Sequence, residues 1–266
     1  MELKYITRER SGHVLLIGLN RPKKYNAVNA EMLRQLSVAY GELGNDPDLR
    51  VGVLHGHGDH FCAGLDLTQM WPHLRENGPE VLTGGGPYDP LGVWGEAVPK
   101  PVVMAANGIS FTFAIELALA SDIVVAAEDV RFRQLEVGRG IFPFGGATFR
   151  APAHVGWGNA MRFLLTAEEF GAEEAHRIGL VQEVVPTGRQ VDRALEIAQM
   201  IAAQAPRGVQ ESLRNARIAR AQQEREAVEH LARVLPEVLE SEDAKEGLES
   251  FRDRRPGRFK GEGGRR

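Results

Sequence analysis

The sequence predicts an α/β fold whose carboxy-terminal part is helical, and three observations predict it. Short, continuously apolar runs at residues 51–54, 102–106 and 123–127 suit strands covered on both faces, the usual setting of parallel pairing. Helical patterns alternate with these runs, as they do in α/β chains. After about Gly145 the strand signal nearly vanishes, leaving only residues 181–185 among helical stretches.

In chain order, residues 3–8 and 13–19 read as two strands of an N-terminal hairpin turning at Ser11-Gly12. Asn29 can cap a helix over 30–43, which puts Leu33, Leu36, Tyr40 and Leu43 on one face. The strand at 51–54 leads into Phe61-Cys62-Ala63-Gly64-Leu65-Asp66, where Asp66 and Gln69 have the spacing of a capping box. Residues 71–99 read as a long loop carrying Gly84-Gly85-Gly86: a lid, a pocket wall or a plain connection. The strand at 102–106 is followed by a second helix start across Asn107-Gly108-Ile109-Ser110-Phe111-Thr112. The helix itself, over 113–120, is apolar all round except for Glu116 and therefore buried. Helices are expected around 147–153, 159–165, 172–178 and 191–204, with helical patterning again over 208–254.

Composition narrows the function classes. The chain has 266 residues, 43% hydrophobic and 26% charged, which is ordinary for a globular protein. A net charge of −4 argues against a general nucleic-acid binder, although residues 252–266 hold seven Arg or Lys against two Asp or Glu. That basic end suits a phosphate-bearing ligand or a solvated tail. Cys62 stands alone, so no internal disulfide forms and a reducing compartment is expected. The start has no apolar signal core, and the apolar stretch 109–127 is interrupted by Glu116, Ser121 and Asp122; a cytoplasmic protein without a membrane span is expected. His55, His57, Asp59 and His60, with glycines between them, read as a strand-end turn, and no metal site is expected.

Three places could carry chemistry. The small residues Ala63 and Gly64 let a ligand approach the backbone, leaving the Leu65 N–H at a helix start to meet an oxyanion. Glu116, on a buried helix, should have a raised pKa. Glu136, in a loop after Arg131-Phe132, reads by itself as solvated.

Beyond these points the chain resembles the crotonase (enoyl-CoA hydratase/isomerase) superfamily from about Leu19 to Lys260. The matching pieces, in order, are Leu19-Asn20-Arg21-Pro22 with Asn26-Ala27, and Phe61-Cys62-Ala63-Gly64-Leu65-Asp66. Pro99-Lys100-Pro101 precedes Asn107-Gly108, and Glu116-Leu117 precedes Ser121-Asp122-Ile123. Gly140-Ile141-Phe142-Pro143 with Gly146, then Ala172, Ala175 and Gly179-Leu180-Val181, and finally Arg258-Phe259-Lys260 complete the set. The resemblance implies a crotonase-like spiral of ββα units over 1–200 and a C-terminal α-helical trimerisation region over 201–266, in a homotrimer or hexamer. It implies an acyl-CoA substrate, its thioester carbonyl held by the backbone N–H groups of Leu65 and Phe113. It further implies Glu116 and Glu136 as the catalytic pair of a hydratase, with an isomerase or thioester hydrolase of the same superfamily as alternatives. The hydrolase would use Ser110 or Thr112 with a histidine. Contacts to coenzyme A would come from Arg21, Lys23, Ala27, Ala63, Asp66 and Leu67, and from Phe259 and Lys260 of a neighbouring subunit. No cofactor is implied beyond the coenzyme A of the substrate. One departure stands out: Thr112-Phe113-Ala114 replaces the three glycines usual in family hydratases, and Phe142 and Phe144 add bulk near Glu136.

Overall fold

A computed structural model describes residues 3–259. Its main sheet has six strands: β1 (Ile6–Ser11), β2 (Val14–Leu19), β3 (Val51–Gly56), β4 (Val102–Ala106), β6 (Ile123–Ala127) and β9 (Glu183–Val185), in the order β1-β2-β3-β4-β6-β9. Only the β1–β2 pair is antiparallel. A second sheet joins β5 (Ile109–Phe111), β7 (Arg131–Arg133) and β8 (Glu169–Gly171).

The apolar runs are continuous because both faces of the main sheet are covered. Val14, Val51, Val53, Val103, Ala105 and Val125 meet Ala194, Ile197, Ala198 and Ala202 of α7 (Gln190–Ala202). The alternate residues, among them Leu54, Met104 and Ala106, join the larger core on the opposite face.

The chain advances as a spiral of ββα turns. In one turn β4 is followed by β5 and α3 (Phe113–Ala120); in the next, β6 is followed by β7, a 3-10 turn (Glu136–Arg139) and α4 (Ala147–Val155). The preceding turn has the same plan in reduced form. There β3 leads to Cys62, which bridges in parallel to Ser110 of β5, and then to α2 (Leu67–Asn77). Ser110 in turn pairs with Phe132 of β7. Cys62, Ser110 and Phe132 are thus one row across three turns, and the residues three beyond each, Leu65, Phe113 and Leu135, occupy corresponding places.

Several expectations are corrected. The first strand begins at Ile6, because the hairpin closes on the pair Ser11↔Val14 around Gly12, whose φ is +59°. The supposed loop over 71–99 starts inside α2, continues through a 3-10 turn (Pro79–Thr83), and does not line the site cavity. Gly84 and Gly86 lie against α1 (Ala30–Asn45), where a Cβ on Gly84 would fall 2.5 Å from the Leu33 carbonyl oxygen. Asn29 caps α1 through its side chain, 3.0 Å from the Met32 N–H. Strand β8 falls within the region read as helical, and the strand expected over 181–185 shrinks to β9.

The remaining helices are α5 (Trp157–Thr166), α6 (Ala172–Arg177), α8 (Pro206–Leu239) and α9 (Glu242–Arg252). Leu231, Leu235 and Leu239 of α8 are buried, and Ser241 caps α9 by accepting from the Ala244 N–H at 3.1 Å. The middle of α9 packs on the 3-10 turn so closely that a Cβ on Gly247 would collide with the Arg139 carbonyl.

Candidate active site

A cavity of about 500 Å³ opens where the ends of the small-sheet row meet α3, the 3-10 turn and α9. Leu65, Phe113, Glu116 and Glu136 all line it.

The Leu65 N–H is left over by its neighbours' bonds. The Val28 N–H donates to the Gly64 carbonyl and the Asp66 N–H to the Val28 carbonyl, both at 2.8 Å, while Leu65 itself donates to no acceptor among the described residues. Gly64 has φ +99°, and a Cβ there would overlap the Thr112 hydroxyl, so the close fit of the two loops excludes a side chain. Phe113 is the first residue of α3, and its N–H is likewise without an acceptor among the described residues. It is aimed by Thr112, held at φ +50°, ψ −106° while its N–H donates to the Arg133 carbonyl at 2.9 Å. A β-branched residue at positive φ is strained, and a glycine would relax there. The Phe113 ring is buried, so the residue in the glycine position is accommodated by the core.

The two carboxyl groups are held differently. Glu116, on the first turn of α3, is 4% exposed and accepts through Oε1 from the Gly145 N–H at 2.7 Å and the Ala147 N–H at 3.4 Å. Burial pushes its pKa up to about 7 against those two donors and Arg150. Glu136, expected to be solvated, is 8% exposed, because it opens the 3-10 turn that α9 covers. Its Oε1 accepts from the Gln134 side-chain amide at 3.1 Å, and its buried Oε2 has no partner among the described residues. Burial first, and Glu116 second, hold its pKa well above the usual carboxylate range. Facing carboxyls of this kind share protons as a pair. Glu116, whose Oε1 accepts from two backbone N–H groups, is the better held of the two as a carboxylate.

Of the residues expected to contact coenzyme A, Ala27, Ala63, Asp66 and Leu67 line the cavity, and Arg21 and Lys23 do not. The Arg21 guanidinium donates to the Ala27 carbonyl and reaches Asp66 at 3.3 Å, so it braces the rim from behind. Lys24 and Tyr25 stand at the rim instead of Lys23. Asp66 does not close a capping box. Its carboxylate is taken by Arg21, Thr68 and Gln69 rather than by a backbone N–H. Phe259 does not line the cavity of its own chain, and Lys260 lies outside the described residues. Phe144 lines the cavity, whereas Phe142 does not.

Ser110 is fully buried with its hydroxyl 3.4 Å from the Asn107 carbonyl and is not in the wall. Thr112 is in the wall, but no described histidine joins it there, so the hydrolase arrangement lacks its base. The histidines serve the strand-end turn: His57 bonds Thr7 at 2.6 Å, and His60 accepts from the Ile109 N–H at 3.2 Å.

The sequence did not single out Leu135, Arg139 or Phe251 as wall residues. The row Cys62–Ser110–Phe132 could have located Leu135, but only once the strand pairing was known. Chemically, the wall combines two free N–H donors, able to polarise a carbonyl, with a carboxyl pair that can hold and pass a proton.

The enoyl-CoA hydratase/isomerase family profile matches residues 9–262. The enoyl-CoA hydratase EchA19 of Mycobacterium tuberculosis is 34% identical over 255 residues, 94% of each chain. The structure of a probable enoyl-CoA hydratase/isomerase from Mycobacterium abscessus superposes with a TM-score of 0.78 at 49% identity, covering 98% of this chain and 100% of that one. The structure of a carnitinyl-CoA hydratase from Mycobacterium avium gives a TM-score of 0.86 at 35% identity, covering 97% and 98%.

Proposed function

The chain belongs to the enoyl-CoA hydratase/isomerase family, and from that premise we propose that it adds water reversibly across the double bond of a 2-enoyl-CoA thioester. The observation that carries the reading is that two buried carboxyl groups and two acceptor-free N–H groups line the same cavity.

The thioester oxygen sits between the N–H groups of Leu65 and Phe113. Charge builds on that oxygen as water attacks C3, and fixed donors stabilise it by about 2.7–4 kcal/mol each. The Glu116 carboxylate holds the water and takes its proton as the C3–O bond forms. Glu136 gives its proton to C2, so the water's elements are added and the pair still carries one proton. The two backbone donors on Glu116, against the unpartnered Oε2 of Glu136 among the described residues, support this division of labour. Residues Ala27, Ala63, Asp66 and Leu67, with Lys24 at the rim, take the coenzyme A end. The acyl group lies among Phe113, Leu135, Ile141 and Phe144. The protein works in the cytoplasm as a homotrimer or hexamer, its helices beyond residue 201 serving assembly, and Phe259 reaches a neighbour's site.

The test is incubation with 2-enoyl and 3-enoyl thioesters, with products resolved by mass and free thiol measured separately. A 3-hydroxyacyl-CoA product, with turnover lowered about 10²- to 10⁴-fold in Glu136→Gln, is expected. Double-bond migration without water uptake would make it an isomerase, and release of free CoA a hydrolase; either outcome sinks hydration.

A further inference from the structure

Arg139 is the feature of the cavity that hydration does not use. It closes the 3-10 turn that Glu136 opens. A 3-10 helix repeats every three residues, so both side chains project from the same side, about 6 Å apart along the axis. Both line the cavity.

Its neighbours on the small sheet are conventionally paired. Arg131 forms an ion pair with Glu169 at 2.7 Å, and Arg133 donates to the Ala167 carbonyl at 2.6 Å. Arg139, with five N–H donors to satisfy, has only the carbonyl of Gly138 at 3.5 Å and the face of the Phe251 ring at 5.2 Å. No carboxylate among the described residues pairs with it. Half-buried and facing Arg133, the guanidinium is disfavoured by both burial and like charge, which push its pKa below the ordinary value. It does not compensate Glu136, whose Oε2 has no partner among the described residues. A partly desolvated cation is costly until an anion meets it. No described residue supplies one, and the cavity in front of it is where a ligand would.

We propose that Arg139 selects acyl groups ending in a carboxylate, so that the substrates are CoA half-thioesters of short unsaturated dicarboxylic acids. This rests on the acyl-thioester reading of the cavity. The reacting carbons lie at Glu136, and the guanidinium one turn farther on fits a second carboxylate a few carbons beyond them, held by paired N–H donors. Lys24, on the rim with Ala27 and Asp66, remains the cation for the coenzyme A phosphates. The walls between, Leu135, Ile141 and Phe144, take the methylenes.

The test compares binding of hexanoyl-CoA, the mono-CoA thioester of the six-carbon saturated dicarboxylic acid, 6-aminohexanoyl-CoA and free CoA, by titration calorimetry on the intact protein. None of these probes needs turnover. Wild type should bind the carboxylate-ended thioester about 10- to 100-fold more tightly than hexanoyl-CoA, the range of a charge-assisted pair. Arg139→Gln should collapse that ratio towards one, and Arg139→Glu should turn the preference towards the amino-ended thioester; melting curves check that both variants fold. Equal losses on all thioesters and on free CoA would assign Arg139 to a coenzyme A phosphate and overturn the inference. So would a wild type that does not discriminate. If no thioester binds at all, the hydratase reading falls first and this one with it.

Discussion

Glu116 and Glu136 differ by what surrounds their oxygens, and that difference has a pH signature. Each has a folded pKa above its unfolded value of 4.5, to about 7 for Glu116 and well above 4.5 for Glu136. The folded state therefore binds more protons than the unfolded state over that window, and stability falls as pH rises through it. Replacing Glu136 by Gln removes one of these ionisations. The variant should melt close to wild type at pH 5 and measurably higher at pH 8; a difference that does not change with pH would mean that the carboxyl is not buried as described. At this scale the sequence was half legible. Glu116 announced itself as the one charge on an apolar helix, whereas Glu136 looked solvated, since its burial comes from α9 more than a hundred residues later. Arg21 and Lys23 do not line the cavity for a similar reason: the turn through Tyr25 and Asn26, both at positive φ, brings Lys24 to the rim and leaves Arg21 behind it.

Among the elements, the long buried strands were legible because their apolar runs are set by two covered faces. The small sheet was not, because β5, β7 and β8 have three residues each, too few for any period to show. Yet those short strands set the site, placing Leu65, Phe113 and Leu135 at corresponding steps. The loop over 84–101 acts from behind: the Trp94 indole N–H donates to the Phe144 carbonyl at 2.9 Å, and Leu91 packs beside Gly145. Gly145 is pressed between Leu91 and the Glu116 carboxyl, and a Cβ there would collide with both. Its φ is not positive, so alanine brings no backbone strain and the whole effect is steric. Gly145→Ala should cost about 1–3 kcal/mol of stability and displace Glu116, lowering kcat well below wild type. Denaturant melts and initial rates on the same preparation check both; a stable variant with full kcat would show that Glu116 has room to spare.

For the molecule as a whole, the amphipathic surface predicts assembly. Trp157 at 72% exposed and Leu165 at 68% lie on α5, and Ile218 and Met200 on the helices after it are also more than half exposed. Large exposed apolar patches mark interaction sites, and the assembly proposed for this chain would cover these side chains. Equilibrium sedimentation at micromolar concentration should give a mass three or six times that of the chain; a monomer would refute the assembly proposed for the helices beyond residue 201. Here the sequence was informative about helicity but silent about contacts, because the pattern of α8 cannot distinguish the leucines buried on the body from residues left open.

The rungs between Cys62 and β5 have a consequence in time as well as in space. The Cys62 N–H donates to the Ile109 carbonyl at 3.0 Å and the Phe111 N–H to the Cys62 carbonyl at 2.9 Å, with Cys62 itself fully buried. Those amide hydrogens can trade with deuterium only when the spiral itself opens, on the slow clock of cooperative unfolding. Two or three residues farther along each loop, the amides of Leu65 and Phe113 have no acceptor and line a cavity open to water. Their exchange should be fast in the free protein and slow once a thioester oxygen arrives, so occupancy can be read from two amides flanked by neighbours that hardly change.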